Sequence, residues 1–291
     1  MTDMYELIEK ADAEEREQEG AFDREEWARR KREERESVFE LADETALRIN
    51  SDPVARKGYA AVMAALPGHS ATNALLVYAQ RPDAKQVGDS AYWSQKRAHI
   101  KKGEKGIAIL EPGREYVRDD GSIGNFYDVK KVFDVSQATA RERLGRRSSL
   151  TDVLTALVMR SPVSIEPQAG PVEGSVRYDA ASGAILVERG LGDRHLFDGL
   201  LTEQAHAFLA NGNPSYDRNA HQPQAALAAA VAAMRFGIEA PDGDIPAPAG
   251  PEADPKEIRN ALNEARSAST EIASRVGEAL SKTREHDAPA R

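Results

Sequence analysis

The sequence predicts an α+β protein: N-terminal helices plus a small antiparallel β-sheet domain, then a second α+β domain and a C-terminal helix. Three observations carry this. Apolar residues recur at helical spacing before residue 80, at 149–160, at 195–237 and again after 255. Between 84 and 135 they alternate instead, punctuated by Lys-Gly, Pro-Gly and Asp-Gly turn signals. A second short alternating stretch, 175–190, lies between helical segments.

Taken in order, residues 1–37 are dominated by acids and bases. DREEWARRKREERE interleaves the two signs at the spacing of i,i+4 pairs and predicts a charged, solvated helix. From Val38 the stripe Val38, Leu41, Ala42, Thr45, Ala46 and Ile49 predicts an amphipathic helix. Ser51-Asp52-Pro53 ends it and caps the next helix, about 54–66, which Pro67-Gly68 stops. SATNALLVYAQ, 70–80, reads as a buried helix with Ser70 as N-cap. Strands are expected at 107–110, 114–117 and 127–135, with Gly121 in a hairpin turn. Residues 136–170 read as a connector holding one helix, 149–160, capped by Ser148 or Ser149. The 175–190 stretch predicts a hairpin turning at Ser182-Gly183. Helices follow at 195–210 and 222–237, the latter closed by Gly237. Pro, Gly, Ala and Asp dominate 241–255, a linker. Ile258, Leu262, Ala265, Ser269, Ile272, Val276 and Ala279 then mark a heptad-like stripe on a helix over 256–285, which either docks back or pairs with another chain. The parts are therefore 1–37, 38–138, 139–240, 241–255 and 256–285.

The chain has 291 residues and no cysteine, which excludes disulfides, thiolate zinc sites and Cys nucleophiles. No secretory signal and no apolar run of membrane-spanning length is visible, so the expected location is cytoplasmic, with no membrane partner. Net charge is −9, which argues against a nucleic-acid binder that uses its whole surface. Charge is uneven, however. Between Arg81 and Lys105, Arg81, Lys85, Lys96, Arg97, Lys101, Lys102 and Lys105 face only Asp83, Asp89 and Glu104. Tyr92 and Trp93 sit inside this basic island, and Phe126, Tyr127 and Phe133 lie nearby in sequence. Cations for phosphates with aromatic faces for unstacked bases is how single strands are held without base readout. Equally, Trp93 and Phe133 fit a core and the lysines a solvated hairpin. Gly103 and Gly106 suit either close approach to a ligand or a tight turn.

The string NALLVYAQRPDAKQVGDSAYWSQKRAHIKKGEKGIAILEP, followed by KKVFDVSQ, resembles the N-terminal single-stranded DNA-binding domain of ArdC-type antirestriction proteins. The matching pieces are Asn73, Gln80-Arg81-Pro82, Trp93, Ile100 to Leu110 and Val132 to Gln137, in order across 38–138; Ala138 stands where the family has Thr. The resemblance implies DNA contacts from Asn73, Arg81, Tyr92, Trp93, Lys96, Arg97, Lys101, Lys102, Lys105, Phe133 and Gln137. It also implies a role on a plasmid, phage or conjugative element in which single-stranded DNA is shielded from restriction. A Trp93 ring stacked on a base would contribute roughly 1–3 kcal/mol.

The helix LLTEQAHAFLANG carries E-x-x-H, part of the H-E-x-x-H zinc protease motif, in which two imidazoles one turn apart hold the ion and Glu is the base. Thr202 occupies the place of the first histidine before Glu203 and His206. In the ArdC-like pattern the rear half, 139–240, is a zincin-like domain whose third, acidic ligand falls at Ala226. The helix AALAAAVAAMRF holds no carboxylate. One imidazole cannot fix a catalytic ion. His195 is about three turns from His206 on the same helix, roughly 16 Å of rise. His221, at the start of the next helix, leaves His206 and His221 as the remaining metal candidates. The sequence therefore predicts no cofactor, zinc included, and no catalytic residue, with Glu203 and His206 vestigial. Two other readings stay open: a metallopeptidase with a non-standard metal site, and an interaction or oligomerisation module working through the C-terminal helix.

Overall fold

A computed structural model describes residues 24–117, 123–140 and 148–286. The charged and amphipathic stretches expected on either side of residue 37 form one continuous helix, α1 (Arg24–Ser51). Its exposed front carries the expected i,i+4 pairs Arg29–Glu33 and Glu26–Arg30, with Lys31–Glu34 added at i,i+3. Residues 1–23 of the expected charged helix lie outside the described residues. Asp52 caps α2 (Pro53–Ala65) by accepting from Val54 N, and Ser70 caps α3 (Ala71–Gln80) by accepting from Asn73 N.

The first sheet has the order β1-β3-β2, all antiparallel, with β1 at Val87–Gly88, β2 at Ile107–Val117 and β3 at Ile123–Asp134. Pro112-Gly113, expected to turn the chain, is absorbed as an irregularity between Pro112 and Glu115, and the strand continues. The hairpin turn expected at Gly121 lies outside the described residues. A short helix, α4 (Ser90–Gln95), capped by Asp89, interrupts what the sequence presents as β structure. Val135–Gln137 closes β3 with a 3₁₀ turn.

The second half opens with α5 (Leu150–Met159), capped by Ser149. Its sheet has the order β4-β6-β5: β4 (Ile165–Gln168) runs parallel to β6 (Ala184–Glu188), and β5 (Val176–Asp179) forms the expected hairpin with β6. β4 falls in the expected connector. Pro167 disguises it, and is tolerated because β4 is an edge strand. Two long helices follow, α6 (Asp193–Ala210) and α7 (Arg218–Arg235). α7 begins at Arg218 rather than the expected 222, because Asp217 accepts from Ala220 N and caps it.

The Pro/Gly-rich segment 241–254 is a strap rather than a free spacer. The amide of Asn50 bonds Gly250 O and Ala249 N, and buried Arg56 donates to Ile245 O at 2.7 Å as well as to Ile49 O and Asn50 O. A buried guanidinium needs such acceptors, and the strap's backbone supplies one. α8 (Pro255–His286) docks back: Ile258, Leu262, Ala265, Ser269, Ile272 and Val276 are all buried within the chain. One apolar core runs through both halves, joining Tyr59, Leu75 and Ile107 to Leu157, Leu201 and Leu262.

Candidate functional site

α4 turns the basic island into a surface with a buried underside. Trp93 is 1% exposed, and its Nε1 donates to Phe133 O at 2.9 Å. It packs with Ala98, Val135 and Ala138, and Phe133 is half-buried against the same cluster. Trp93, expected at the DNA, is therefore packed in the interior of this half, with its one donor engaged. Tyr92 lies edge-on to Trp93 at 5.0 Å, and its ring rests where a Cβ on Gly88 would stand 2.0 Å from Cδ1. Lys96 Nζ sits 5.1 Å from that ring's centroid.

Asn73 and Gln137 are likewise structural. β2 is an edge strand, so its outer backbone groups need partners. The Asn73 amide donates to Leu110 O at 2.8 Å and accepts from Leu110 N at 2.9 Å. One face further along α3, the Gln80 amide does the same to Ala108, at 2.9 Å both ways. Two side chains thus stand in for a fourth strand. Gln137, 2% exposed, accepts from Asp134 N and donates to Glu104 and to Lys105 O. Asp134 in turn accepts from Lys85 N, Gln86 N and Ser136 N. Burial pushes the Asp134 carboxyl up, but the hydrogen bonds from Ser136, Gln86 and Lys85 outweigh it and leave the pKa below the ordinary value. Much of the recognised motif string is thus explained by packing and backbone pairing.

The cations remain outside. Lys96, Arg97, Lys101, Lys102 and Lys105 are exposed. Among the described residues no carboxylate pairs with Lys96, Arg97, Lys102 or Lys105. Lys101 Nζ donates to Ser136 O at 2.8 Å. Arg81 is half-buried and pairs with Glu104 at 3.5 Å. Gly103, at φ +90°, makes the tight turn, and Gly106 lets β2 approach Lys131, whose Cβ would lie 2.9 Å from an added Cβ. On β3, Phe126 and Tyr127 are the exposed rings nearest this surface in sequence, 51% and 37% exposed.

In the second half, α6 aims Glu203 and His206 into the interior. The Glu203 carboxylate accepts from both terminal nitrogens of Arg218, at 2.6 and 2.7 Å, and from Tyr178 N at 2.7 Å. His206 is fully buried, with Nε2 2.9 Å from Gln222 Oε1 and Nδ1 3.0 Å from the Tyr216 hydroxyl. Burial holds its imidazole below the usual histidine range, against the raising pull of Gln222 and Glu203. Hydrogen bonding to Glu203 raises the Arg218 pKa above its ordinary value, so its charge is secure. Thr202 turns its hydroxyl back to Asp198 O. Thr202, Gln222 and Ala226 line one small cavity of about 220 Å³, which strap residues 241–246 cover. His221 bonds Asp217 O through Nδ1 and stacks on Tyr216 at 5.3 Å, so the structure gives it no bond to His206. Among the described residues no group of three His, Asp or Glu side chains is arranged to hold an ion. A zinc ion asks for several convergent donors and an open position, and this donor set does not fit one.

Tyr178, Tyr216, Arg218 and Gln222 complete the network, and sequence reasoning did not single them out. Arg218 and Gln222, one turn apart, become visible only once α7 is started at Asp217.

The fold and site together define an α+β chain in which a small sheet with a cationic loop beside it and a helix pair with a buried polar network share one core. It is similar to the crystal structure of the antirestriction ArdC protein from the R388 plasmid in its metal-free form, with 16% identity, 71% of this chain and 85% of that chain covered, and a TM-score of 0.49. The Mn(II)-bound structure of that protein matches with 15% identity, 70% and 84% coverage and a TM-score of 0.47. No family profile and no curated protein matches the chain. Among the described residues no helix is long and apolar enough to cross a membrane.

Proposed function

We propose that the chain is a nucleic-acid-binding protein that grips single-stranded DNA through phosphate contacts, in an antirestriction or DNA-protecting role on a mobile element, and that its zincin-like half works without a metal ion. The observation that carries the reading is the run Lys96 to Lys105: five exposed cations on ten residues, none with a carboxylate partner among the described residues and only Lys101 bonded through its side chain, to the Ser136 carbonyl, in a chain of net charge −9. Such a local excess attracts polyanions, and a flexible phosphate backbone is the anion that fits a row of side chains. The motif string shared with ArdC-type proteins supports the same assignment. Since Trp93 is buried, base stacking is assigned to the more exposed rings of β3, Phe126 and Tyr127.

The test is fluorescence anisotropy with labelled oligo-dT and a matched duplex across a salt series. Binding that falls steeply with salt is expected, and the triple variant Lys101→Ala, Lys102→Ala, Lys105→Ala should flatten the log–log slope by about 2, near 0.7 for each lost phosphate contact. No binding to either oligonucleotide in dilute buffer sinks the reading, and an unaltered slope in the triple variant moves the interface elsewhere.

A further inference from the structure

The retained glutamate of the protease-like pattern has an occupant. We infer that Arg218 is a resident cation, doing by guanidinium the structural work that a divalent ion does in a zinc site: joining the Glu203 helix to its neighbour. Arg218 opens α7, Glu203 is central in α6 and Tyr178 lies on β5, so the carboxylate ties two helices and the second sheet at one point. The pairing is fork to fork, Nη1 donating to Oε2 and Nη2 to Oε1, the geometry only arginine supplies. Glu203 is 4% exposed, so its charge stays inside the protein and needs this partner. With Arg218 on both oxygens and Tyr178 N on one of them, the Glu203 carboxylate is already engaged by three donors. The second imidazole position, His206, is similarly closed by Tyr216 and Gln222. The disagreement with a metal site is therefore a rebuilt network as well as missing ligands.

The experiment is a thermal-denaturation cycle on the full chain with Arg218→Met, Glu203→Gln and the double variant, each with and without zinc chloride in tenfold excess. Arg218→Met is expected to lower the midpoint by on the order of 10 °C, because it strands a buried carboxylate. The double variant should be no worse than Arg218→Met alone. Zinc should leave the wild-type midpoint unchanged. Additive losses, an unaltered midpoint in Arg218→Met, or a rise of several degrees with zinc in the wild type would each overturn the inference. If Arg218→Met does not fold, Arg218→Lys decides: it keeps the charge without the fork, and a midpoint equal to wild type removes the case for a guanidinium clamp.

Discussion

Two neighbouring residues of the basic segment separate what builds the surface from what uses it. Trp93 is the largest of the fully buried side chains, so Trp93→Ala is expected to destabilise the fold by about 3–5 kcal/mol, read as a shift in the urea midpoint. A Trp93→Ala protein of native stability with weakened oligonucleotide binding would instead return the ring to the interface. Arg97 is the converse case. It follows α4 in the left-handed region, φ +57°, with its N–H donating to Ser94 O. Glycine usually fills that position, and a side chain there costs about 1–2 kcal/mol. An exposed arginine tolerated at that cost points to use of its guanidinium. Arg97→Gly is therefore expected to raise stability by about 1 kcal/mol while weakening oligo-dT binding. Weaker binding with no gain in stability would contradict the strain, and a gain with unchanged binding would leave Arg97 outside the interface.

At the scale of elements, the edge of β2 is completed by side chains of α3 rather than by a strand. Asn73→Ala leaves the N–H and C=O of Leu110 without partners and should cost about 1–3 kcal/mol. Hydrogen exchange at the Leu110 amide should accelerate in Asn73→Ala, and at Ala108 in Gln80→Ala. Equal protection in wild type and variants would show that the amides do not hold the edge. Helices with a cap and a stripe were legible in the sequence: Ser70 announced α3, the Ser148-Ser149 pair announced α5, with Ser149 the cap, and the spacing from Ile258 to Val276 announced the buried face of α8. What escaped were elements whose local signal opposes their place. β4 carries a proline, α4 is six residues long, and the irregular stretch at Pro112-Gly113 looks like a turn until β3 pairs on both sides of it. The site divided similarly. Exposed lysines were legible as a charge excess. The burial of Trp93, Asn73 and Gln137 was not, because aromatic and amide side chains read alike whether they meet a base or a backbone.

For the molecule as a whole, the shared core makes the two halves one cooperative unit, and two histidines report on it from opposite ends. His69 precedes α3 in the first half, and His206 lies in α6 of the second. Burial lowers the pKa of both from the usual 6.5, assisted at His69 by the nearby charge of Arg266 on α8. A group whose folded pKa is depressed and whose charged form is the protonated one is held neutral by the fold. Its contribution is complete above the unfolded pKa and shrinks as pH falls below about 6.5, because the unfolded chain then takes up protons the folded chain refuses. The urea midpoint is therefore expected to fall between pH 7.5 and 5.5 in a single transition, with far-UV circular dichroism and tryptophan fluorescence coinciding. Asp134 adds a separate loss at lower pH: its depressed carboxyl supports the fold above about pH 4 and is lost as pH drops through its folded pKa. His69→Gln together with His206→Gln should lower stability at pH 7.5 yet remove the loss between 7.5 and 5.5. A slope that survives the double variant assigns it to other groups. Two transitions, one following each probe, would mean that the core does not couple the cation-bearing half to the Glu203–Arg218 half.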